Sequence, residues 1–193
     1  MDFSKYIEEE KIKERKKNLE QVRAEIDKSW VRTKIDNYVK RWGGMFTQEE
    51  VRQGILTNDM IASSFAKDPT RQNISEKAVE NILGIKKLPQ AGGLCVCFDD
   101  NGNKVSSGLG ITKSADFYYN GYYATQKYTT NAGGAQDNQK NDVIDFLKRG
   151  SIKHKVMAIV DGDYWDKHVH ELRLIFKNNP NVVITSLTEI TGG

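Results

Sequence analysis

The sequence feature that most constrains the fold is a hairpin signal between two strand-like runs. Residues 115–119 and 122–130 are rich in aromatic and β-branched side chains, and Asn120-Gly121 lies between them. An Asn-Gly pair in this position favours a tight two-residue turn, because both residues adopt positive φ angles at low cost. The sequence therefore predicts an antiparallel pair of strands over residues 115–130.

The segments around this hairpin predict further strands that alternate with helices. Residues 94–98 form a strand-like run before the strong turn signal of Asp99–Asn103. After Gly133-Gly134, Asp137 caps a predicted helix over residues 138–148. A buried strand (156–160), a helix (166–177) and a last strand (182–185) follow. This order predicts an α/β fold with a mixed central sheet flanked by helices.

The first third of the chain predicts helices. Residues 5–29 are charged and helix-favouring, and they form either an arm that tracks DNA or a solvated helix that packs on the body or a partner. A second helix runs over residues 30–41, and Thr47 with Glu50 makes a capping box. Ser75 is a plausible cap for a helix that stops at Gly84. We therefore predict a helical dimerisation and DNA-contact region (1–67) and an α/β core (68–193).

Composition narrows the class of protein. The chain has 193 residues, a net charge of +3 and 38% hydrophobic residues, which permits a nucleic-acid partner without demanding one. Cys95 and Cys97 read as small hydrophobic residues of a buried strand, and nothing suggests a disulfide framework. The sequence shows no apolar signal segment and no membrane-length run. We expect a cytoplasmic protein of a bacterium or archaeon, with no membrane partner.

Asp116 is the residue of this hairpin most suited to chemistry, because it stands inside an otherwise aromatic strand. An unpaired carboxylate is costly to bury there, so it faces a polar cleft or a cation, or it is a solvated edge residue. The turn brings residues 124–127 of the partner strand close to it. A carboxylate beside such a polar or basic pair is a geometry that can hold Mg²⁺ against a phosphate.

The order of these motifs resembles the core of the PD-(D/E)XK nuclease superfamily, and within it the type II restriction endonucleases. That family has an Asp on one strand, an acid-x-Lys triplet on the next, and often a Gly-Gly loop that opens a helix. Asp116 matches the first acid, Gly133-Gly134 resembles the loop, and Asp161–Trp165 resembles a turn found in several members. Arg71–Glu80 resembles a helix with an additional acid, which maps to Glu80. The resemblance covers roughly residues 68–190 and implies a restriction-endonuclease-like fold.

The acid-x-Lys triplet is where this sequence departs from the family pattern. If Lys127 is the motif lysine, the acid position holds Thr125, and if Gln126 takes that role, it holds Ala124. Strand alternation puts these two alignments on opposite faces. The site has degenerated, or Glu80 supplies the second carboxylate, or Ala124 is an engineered replacement of an acid. In each alignment one acid is missing from the triplet, so we predict weak or absent cleavage.

The resemblance implies hydrolysis of a phosphodiester by in-line attack of water, with Mg²⁺ as the cofactor. Asp116 and Glu80 would hold Mg²⁺, and Lys127 or Gln126 would position the nucleophile or stabilise developing charge. Reading of base edges needs amide and basic side chains, although helix capping and loop hydrogen bonds also use amides. The residues predicted to contact DNA are Arg71, Asn73, Asn131, Gln136, Asp137, Asn138, Gln139 and Lys140.

Three classes of function follow from these observations. The first is a type II restriction endonuclease that acts on double-stranded DNA as a homodimer, because two copies are needed to cut both strands. The second is a DNA-binding protein that keeps the nuclease fold without its catalysis, which the broken triplet favours. The third is a helical interaction protein whose α/β half is a scaffold.

Overall fold

The structure is a computed structural model that describes residues 3–68, 73–90, 93–106, 110–111, 113–129 and 134–192, without the side chains of residues 134–136. The chain forms two units, one of residues 7–74 and one of residues 1–6 with 75–193. The sequence predicts a boundary after residue 67, and the two units divide after residue 74.

Helices make up the unit of residues 7–74. They are α1 (Phe3–Ala24, of which the part from Ile7 belongs here), α2 (Ser29–Arg41), α3 (Gln48–Thr57) and α4 (Asp59–Phe65). The capping box at the start of α3 is confirmed, with Thr47 and Glu50 bonding each other's backbone N–H groups. The buried side chains of this unit form one apolar cluster: Val22, Ile26, Val31, Ile35, Val51, Ile55, Ala62 and Phe65.

The other unit carries two sheets. A two-stranded antiparallel sheet pairs β1 (Cys97–Phe98) with β2 (Lys104–Val105). A four-stranded sheet has the order β3 (Phe117–Tyr119), β4 (Tyr122–Tyr128), β5 (Val156–Asp161), β6 (Val182–Thr185). Its first pair is antiparallel and the other two pairs are parallel, so the predicted mixed sheet is confirmed.

The predicted hairpin turn and the antiparallel pairing are confirmed, but β3 begins at Phe117, two residues later than predicted, so Asp116 lies just before the strand and not inside it. β4 ends at Tyr128, and residue 130 lies outside the described residues. Asn120 and Gly121 have φ angles of 48° and 85°, the left-handed conformation that a two-residue turn of this kind requires. The predicted strand over residues 94–98 is shorter than expected and lies outside the four-stranded sheet. The strand ends at Phe98 because Asp99 starts a tight turn, in which its carboxylate accepts hydrogen bonds from the N–H groups of Asn101 and Asn103. That turn folds Cys97–Phe98 onto Lys104–Val105, a strand the sequence analysis missed.

Helices flank the four-stranded sheet. They are α5 (Ile74–Leu83), α6 (Gly134–Gly150), α7 (Asp163–Ile175) and the short α8 (Leu187–Ile190). Three helices begin earlier than predicted: α5 starts one residue before Ser75, α6 starts before Asp137, and α7 starts before Asp166. Neither Ser75 nor Asp137 is therefore the capping residue that the sequence suggested. None of the helices in the described ranges is long and apolar enough to cross a bilayer.

The apolar core of this unit lies between the sheet and its helices. Val156, Ala158 and Val160 alternate along β5 and belong to one buried cluster with side chains of α6 and α7. The helical members of that cluster are Val143, Phe146, Leu147, Tyr164, Trp165 and Leu172. Every residue of β5 is buried, as expected for a central strand with cover on both faces.

Gly162 links β5 to α7 at a point where no other residue fits without strain. Its φ angle is 99°, and a Cβ atom would lie 2.4 Å from the backbone oxygen of Thr129. This close approach holds the end of β4 against the start of α7, since Tyr164 also donates its backbone N–H to the same oxygen.

Candidate functional site

The carboxylate of Asp116 is fully buried and bonded by the protein itself. Its Oδ1 accepts a hydrogen bond from Lys113 Nζ at 2.7 Å. Its Oδ2 accepts one from Thr125 Oγ1 at 3.1 Å and one from the backbone N–H of Gln126 at 2.8 Å. The Asp116 side chain is 1% exposed and that of Lys113 13% exposed, so this is a largely desolvated ion pair.

The register of the hairpin shows which residues share a face with Asp116. Phe117 pairs with Ala124, so Asp116 lies opposite Thr125. Residues directly opposite each other in an antiparallel pair point to the same face, and so do residues two apart on one strand. Asp116, Thr125 and Lys127 therefore lie on one face, and Ala124 and Gln126 lie on the other.

The face of Asp116 is the one that α6 covers. In the parallel pairing of β4 with β5, Thr125 lies beside Ala158 and Lys127 beside Val160. Both β5 residues belong to the core cluster that includes Val143 and other side chains of α6. This places Asp116 and Thr125 beneath that helix, with Lys127 further along β4 toward its carboxyl end.

The pKa of the Lys127 side chain is lowered in the folded protein. Partial burial lowers the pKa of its ammonium, and the neighbouring charge of Lys113 lowers that pKa further. The carboxylates of Asp116, Asp142 and Glu76 oppose this effect and favour the charged form. The lysine thus lies within electrostatic reach of acids from three elements, which suits a group that contacts a developing negative charge.

Gln126 lies on the opposite face and contacts α5. The side chain is 3% exposed, and its Oε1 accepts a hydrogen bond from Ser75 Oγ at 3.2 Å. Its Nε2 is buried and has no hydrogen-bond partner among the described residues. The backbone of Gln126 reaches Asp116, but the amide itself points away from that carboxylate.

The carboxylate of Glu80 forms a hydrogen bond with the segment that follows α5. Its Oε1 accepts the backbone N–H of Lys87 at 2.7 Å, which ties the end of α5 to the chain that follows it. The Lys87 ammonium pairs with Glu76, one turn earlier on the same helix. Glu76 is also the residue of this helix whose charge acts on Lys127.

These side chains do not fit a complete magnesium site as they stand. Mg²⁺ prefers carboxylate oxygens and water, and the face of the hairpin offers one carboxylate with a neutral hydroxyl opposite it. Within the described ranges, no group of three or more His, Cys, Asp or Glu residues could hold a metal ion. Thr125, whose hydroxyl donates to Asp116, is the residue that faces this carboxylate.

Three of the residues predicted to contact DNA have side-chain partners within the protein. Asp137 accepts a hydrogen bond from Tyr164 Oη, Gln139 accepts one from Thr129 Oγ1, and Lys140 pairs with Glu171 at 2.7 Å. Asn73 and Asn138 are exposed. Arg71, Asn131 and the side chain of Gln136 lie outside the described residues.

Sequence reasoning missed two contributors to this site. Lys113, the charged partner of Asp116, lies three residues before it in the chain, and that spacing was the available signal. Asp142, on α6, lay inside a helix that the sequence analysis read only for its apolar residues. Its role depends on how α6 packs, which no local pattern reports.

A second buried acid, Asp161, is the last residue of β5 and the first residue of the turn Asp161–Trp165. Its two carboxylate oxygens both lie 3.2 Å from the backbone nitrogen of Leu187, which donates to them. Burial raises the pKa of Asp161 to about 6, Asp166 and Glu189 raise it as well, and the Leu187 hydrogen bond opposes them. Asp161 therefore keeps its proton up to a higher pH than an ordinary carboxyl, and it is protonated in the folded protein below about pH 6.

This raised pKa predicts a pH-dependent stability. A carboxyl that titrates near 6 when folded and near 3.8 when unfolded adds stability below about pH 4 and loses it as the pH rises through 6. The loss is about 3 kcal/mol. Asp161→Asn keeps an oxygen for Leu187 and removes the titration, so urea unfolding at pH 8 is expected to show a stabilised variant. Near pH 4 the two proteins should be alike.

Asp163→Asn provides the matched control, because Asp163 is an exposed acid in the first turn of α7. Its unfolding free energy should stay within about 1 kcal/mol of the unaltered chain at both pH values, the size of a helix-terminus charge effect. Equal pH dependence of the unaltered chain and Asp161→Asn would refute the raised pKa.

Comparison of the chain with protein-family models, curated proteins and solved structures gives no match.

Proposed function

We propose that this chain is a site-specific double-stranded DNA endonuclease of the type II restriction class whose magnesium site lacks one carboxylate. The single observation that carries the proposal is the face of the β3–β4 hairpin. Asp116, Thr125 and Lys127 share that face, in the order acid, acid position and lysine of the PD-(D/E)XK pattern. The missing acid lies in the position that the strand pairing sets opposite Asp116.

The surroundings of this face agree with the proposed class. The hairpin leads into α6 and then into the buried strand β5 and its turn. Because α6 covers Asp116 and Thr125, a phosphate would approach this face at the carboxyl end of β4, where Lys127 lies. Lys127 is partly buried and lies two residues beyond Thr125, and the carboxylates of Asp116, Asp142 and Glu76 favour its charged form. A lysine so placed would stabilise negative charge on a phosphate that approaches the carboxyl end of β4.

The absence of the second acid sets the expected activity. Asp116 alone, already bonded by Lys113, Thr125 and Gln126, is a weak magnesium ligand, because binding would break its pair with Lys113. We therefore propose that the unaltered chain binds duplex DNA and cuts it slowly or not at all. Cutting of both strands would use two copies of the chain, as a homodimer.

A second candidate is a DNA-binding protein that keeps the fold and has lost catalysis. The complete bonding of the Asp116 carboxylate within the protein favours it, since such a group serves the stability of the hairpin without any metal. The two candidates share the DNA-binding surface and differ only in residual cleavage.

The proposal is tested with duplex DNA and the unaltered chain. A gel shift in Ca²⁺, repeated over a range of salt concentrations, measures binding without cleavage. We expect an affinity that falls steeply with salt, with a slope of about −0.9 for each phosphate contacted. Incubation of supercoiled plasmid with Mg²⁺ then measures nicking and linearisation.

Each outcome selects one account. Salt-dependent binding with slow, Mg²⁺-dependent nicking supports the endonuclease. Binding with no nicking after prolonged incubation supports the second candidate. Absence of binding at low salt contradicts both and leaves the helical interaction protein. Selection of bound fragments from random duplexes gives the recognition sequence, and a lack of any enriched sequence would contradict the site-specific class.

A further inference from the structure

In the helical unit of residues 7–74, the ammonium groups of two lysines lie close to one tryptophan ring. Lys34 Nζ lies 5.2 Å and Lys67 Nζ 5.9 Å from the centroid of the Trp30 ring. The Trp30 indole N–H donates to Glu25 at 2.6 Å, which fixes the orientation of the ring. Lys34 is held in place by donating to the backbone oxygen of Phe65, the last residue of α4.

The two lysines repel each other in this arrangement. Partial burial lowers the pKa of Lys34, and the charge of Lys67 lowers it further. Glu25 is the carboxylate whose charge acts on Lys67 here, and it already accepts the indole N–H and a Gln21 amide hydrogen. A phosphate that binds Lys67 would therefore also be attracted by the charge of Lys34.

A cleft of about 470 Å³ opens beside Lys67. Lys67 and Arg15 are its cationic lining residues. Ser63 and Ser64 also line it, and their hydroxyl groups donate to the backbone oxygen of Met60. Asp68 is the one carboxylate among the lining residues, so the lining cations outnumber the lining acids by two to one. The lining of the cleft therefore carries a net positive charge, and the Trp30 ring with its two neighbouring ammonium groups lies next to Lys67.

We propose that this cleft, with Lys34 beside it, binds backbone phosphates of duplex DNA. Guanidinium and ammonium groups bind phosphate oxygens and position the DNA backbone without reading bases. The proposal rests on the proposed DNA-binding function and deepens it by assigning phosphate contacts to Arg15, Lys34 and Lys67. These residues stand outside the set that the sequence predicted to contact DNA.

The test uses the full chain and a fluorescent duplex of random sequence, with anisotropy measured over a range of salt in Ca²⁺. The variant Arg15→Ala/Lys67→Ala removes two phosphate contacts. We expect a loss of affinity of about tenfold or more at physiological salt and a salt slope reduced by about 2, because each contact contributes about 0.9. The matched control is Lys16→Ala/Lys40→Ala, which removes two exposed cations of the same unit. Its affinity should stay within about twofold of the unaltered chain, with a slope closer to the unaltered value.

The outcomes separate this inference from the function on which it rests. If the unaltered chain binds no DNA, the proposed function and the phosphate cleft are both wrong. If it binds and both double variants weaken binding equally, the cleft is wrong and the function stands. Arg15→Lys/Lys67→Arg keeps both charges and is expected to restore the affinity and the slope, which excludes misfolding as the cause of the loss. Failure of this variant to restore them would also overturn the inference.

Discussion

Thr125→Glu is expected to raise the rate of Mg²⁺-dependent DNA cleavage by about a hundredfold or more over the unaltered chain, the scale on which single electrostatic groups act in active sites. The substitution sets a second carboxylate opposite Asp116, on the face that also carries Lys127. Side chains opposite each other on paired strands have Cβ atoms about 5 Å apart, close enough for both to reach one ion. Two facing carboxylates have the chemistry that Mg²⁺ prefers.

Two matched variants isolate the cause. Thr125→Gln places a side chain of similar size there without the charge, and it should leave cleavage unchanged. Ala124→Glu adds the same charge one residue earlier, on the opposite face, where the residue is fully buried. It should destabilise the protein without a gain in cleavage. A gain from Ala124→Glu and none from Thr125→Glu would show that the alignment on Gln126 is correct.

The thermal midpoint of Thr125→Glu gives an independent reading. Position 125 is fully buried, so a new carboxylate there lowers stability in the absence of a counter-ion. Added Mg²⁺ should raise the midpoint of this variant and leave that of Thr125→Gln unchanged, because a ligand that binds the folded form stabilises it. A midpoint that does not respond to Mg²⁺ would contradict the facing arrangement of residues 116 and 125.

Asp116→Ala is expected to lower the free energy of unfolding by about 3–5 kcal/mol, the cost of removing one partner of a buried ion pair. The substitution leaves three donors without their acceptor. They are the Lys113 ammonium, the Thr125 hydroxyl and the Gln126 backbone N–H, all on or near a buried strand. Urea unfolding at neutral pH measures the loss.

A double-mutant cycle with Lys113→Met tests the ion pair itself. Asp116→Ala should lower the free energy of unfolding by less in the Lys113→Met background, because no ammonium is then left unpaired. The difference between the two losses measures the coupling of the two residues. A cost below about 1 kcal/mol for Asp116→Ala in the unaltered chain would contradict the buried, fully bonded carboxylate.

Local patterns were enough to predict much of the α/β unit. Asn120-Gly121 set the hairpin, because its turn needs φ angles that few residue pairs adopt. The uninterrupted apolar run at 156–160 indicated a central strand, since only burial on both faces explains it. The start of α7 was misplaced because its N-cap is Gly162, which has no side chain to mark the beginning. α6 begins at Gly134, three residues before Asp137.

The rest of the site depended on pairing between distant segments. The sequence left Thr125 and Ala124 as equal alternatives, because alternation says that they face opposite ways and cannot say which way Asp116 faces. The two-residue Asn120-Gly121 turn pairs Tyr119 with Tyr122 and so sets Thr125 opposite Asp116, which was a signal in the sequence that could have chosen between the two alignments. The contacts of Gln126 with Ser75 and of Lys140 with Glu171 join residues far apart in the chain, so their local patterns could not report them.

Cleavage of supercoiled plasmid by Thr125→Glu/Asp116→Asn, beside Thr125→Glu alone, tests the central claim most directly. Asp116→Asn keeps the shape of the side chain and an oxygen for the Gln126 N–H, and it removes the charge. We predict that the single variant nicks and linearises the plasmid with Mg²⁺ and that the double variant leaves it supercoiled. Equal cutting by both would mean that the hairpin face is not where this protein acts on DNA.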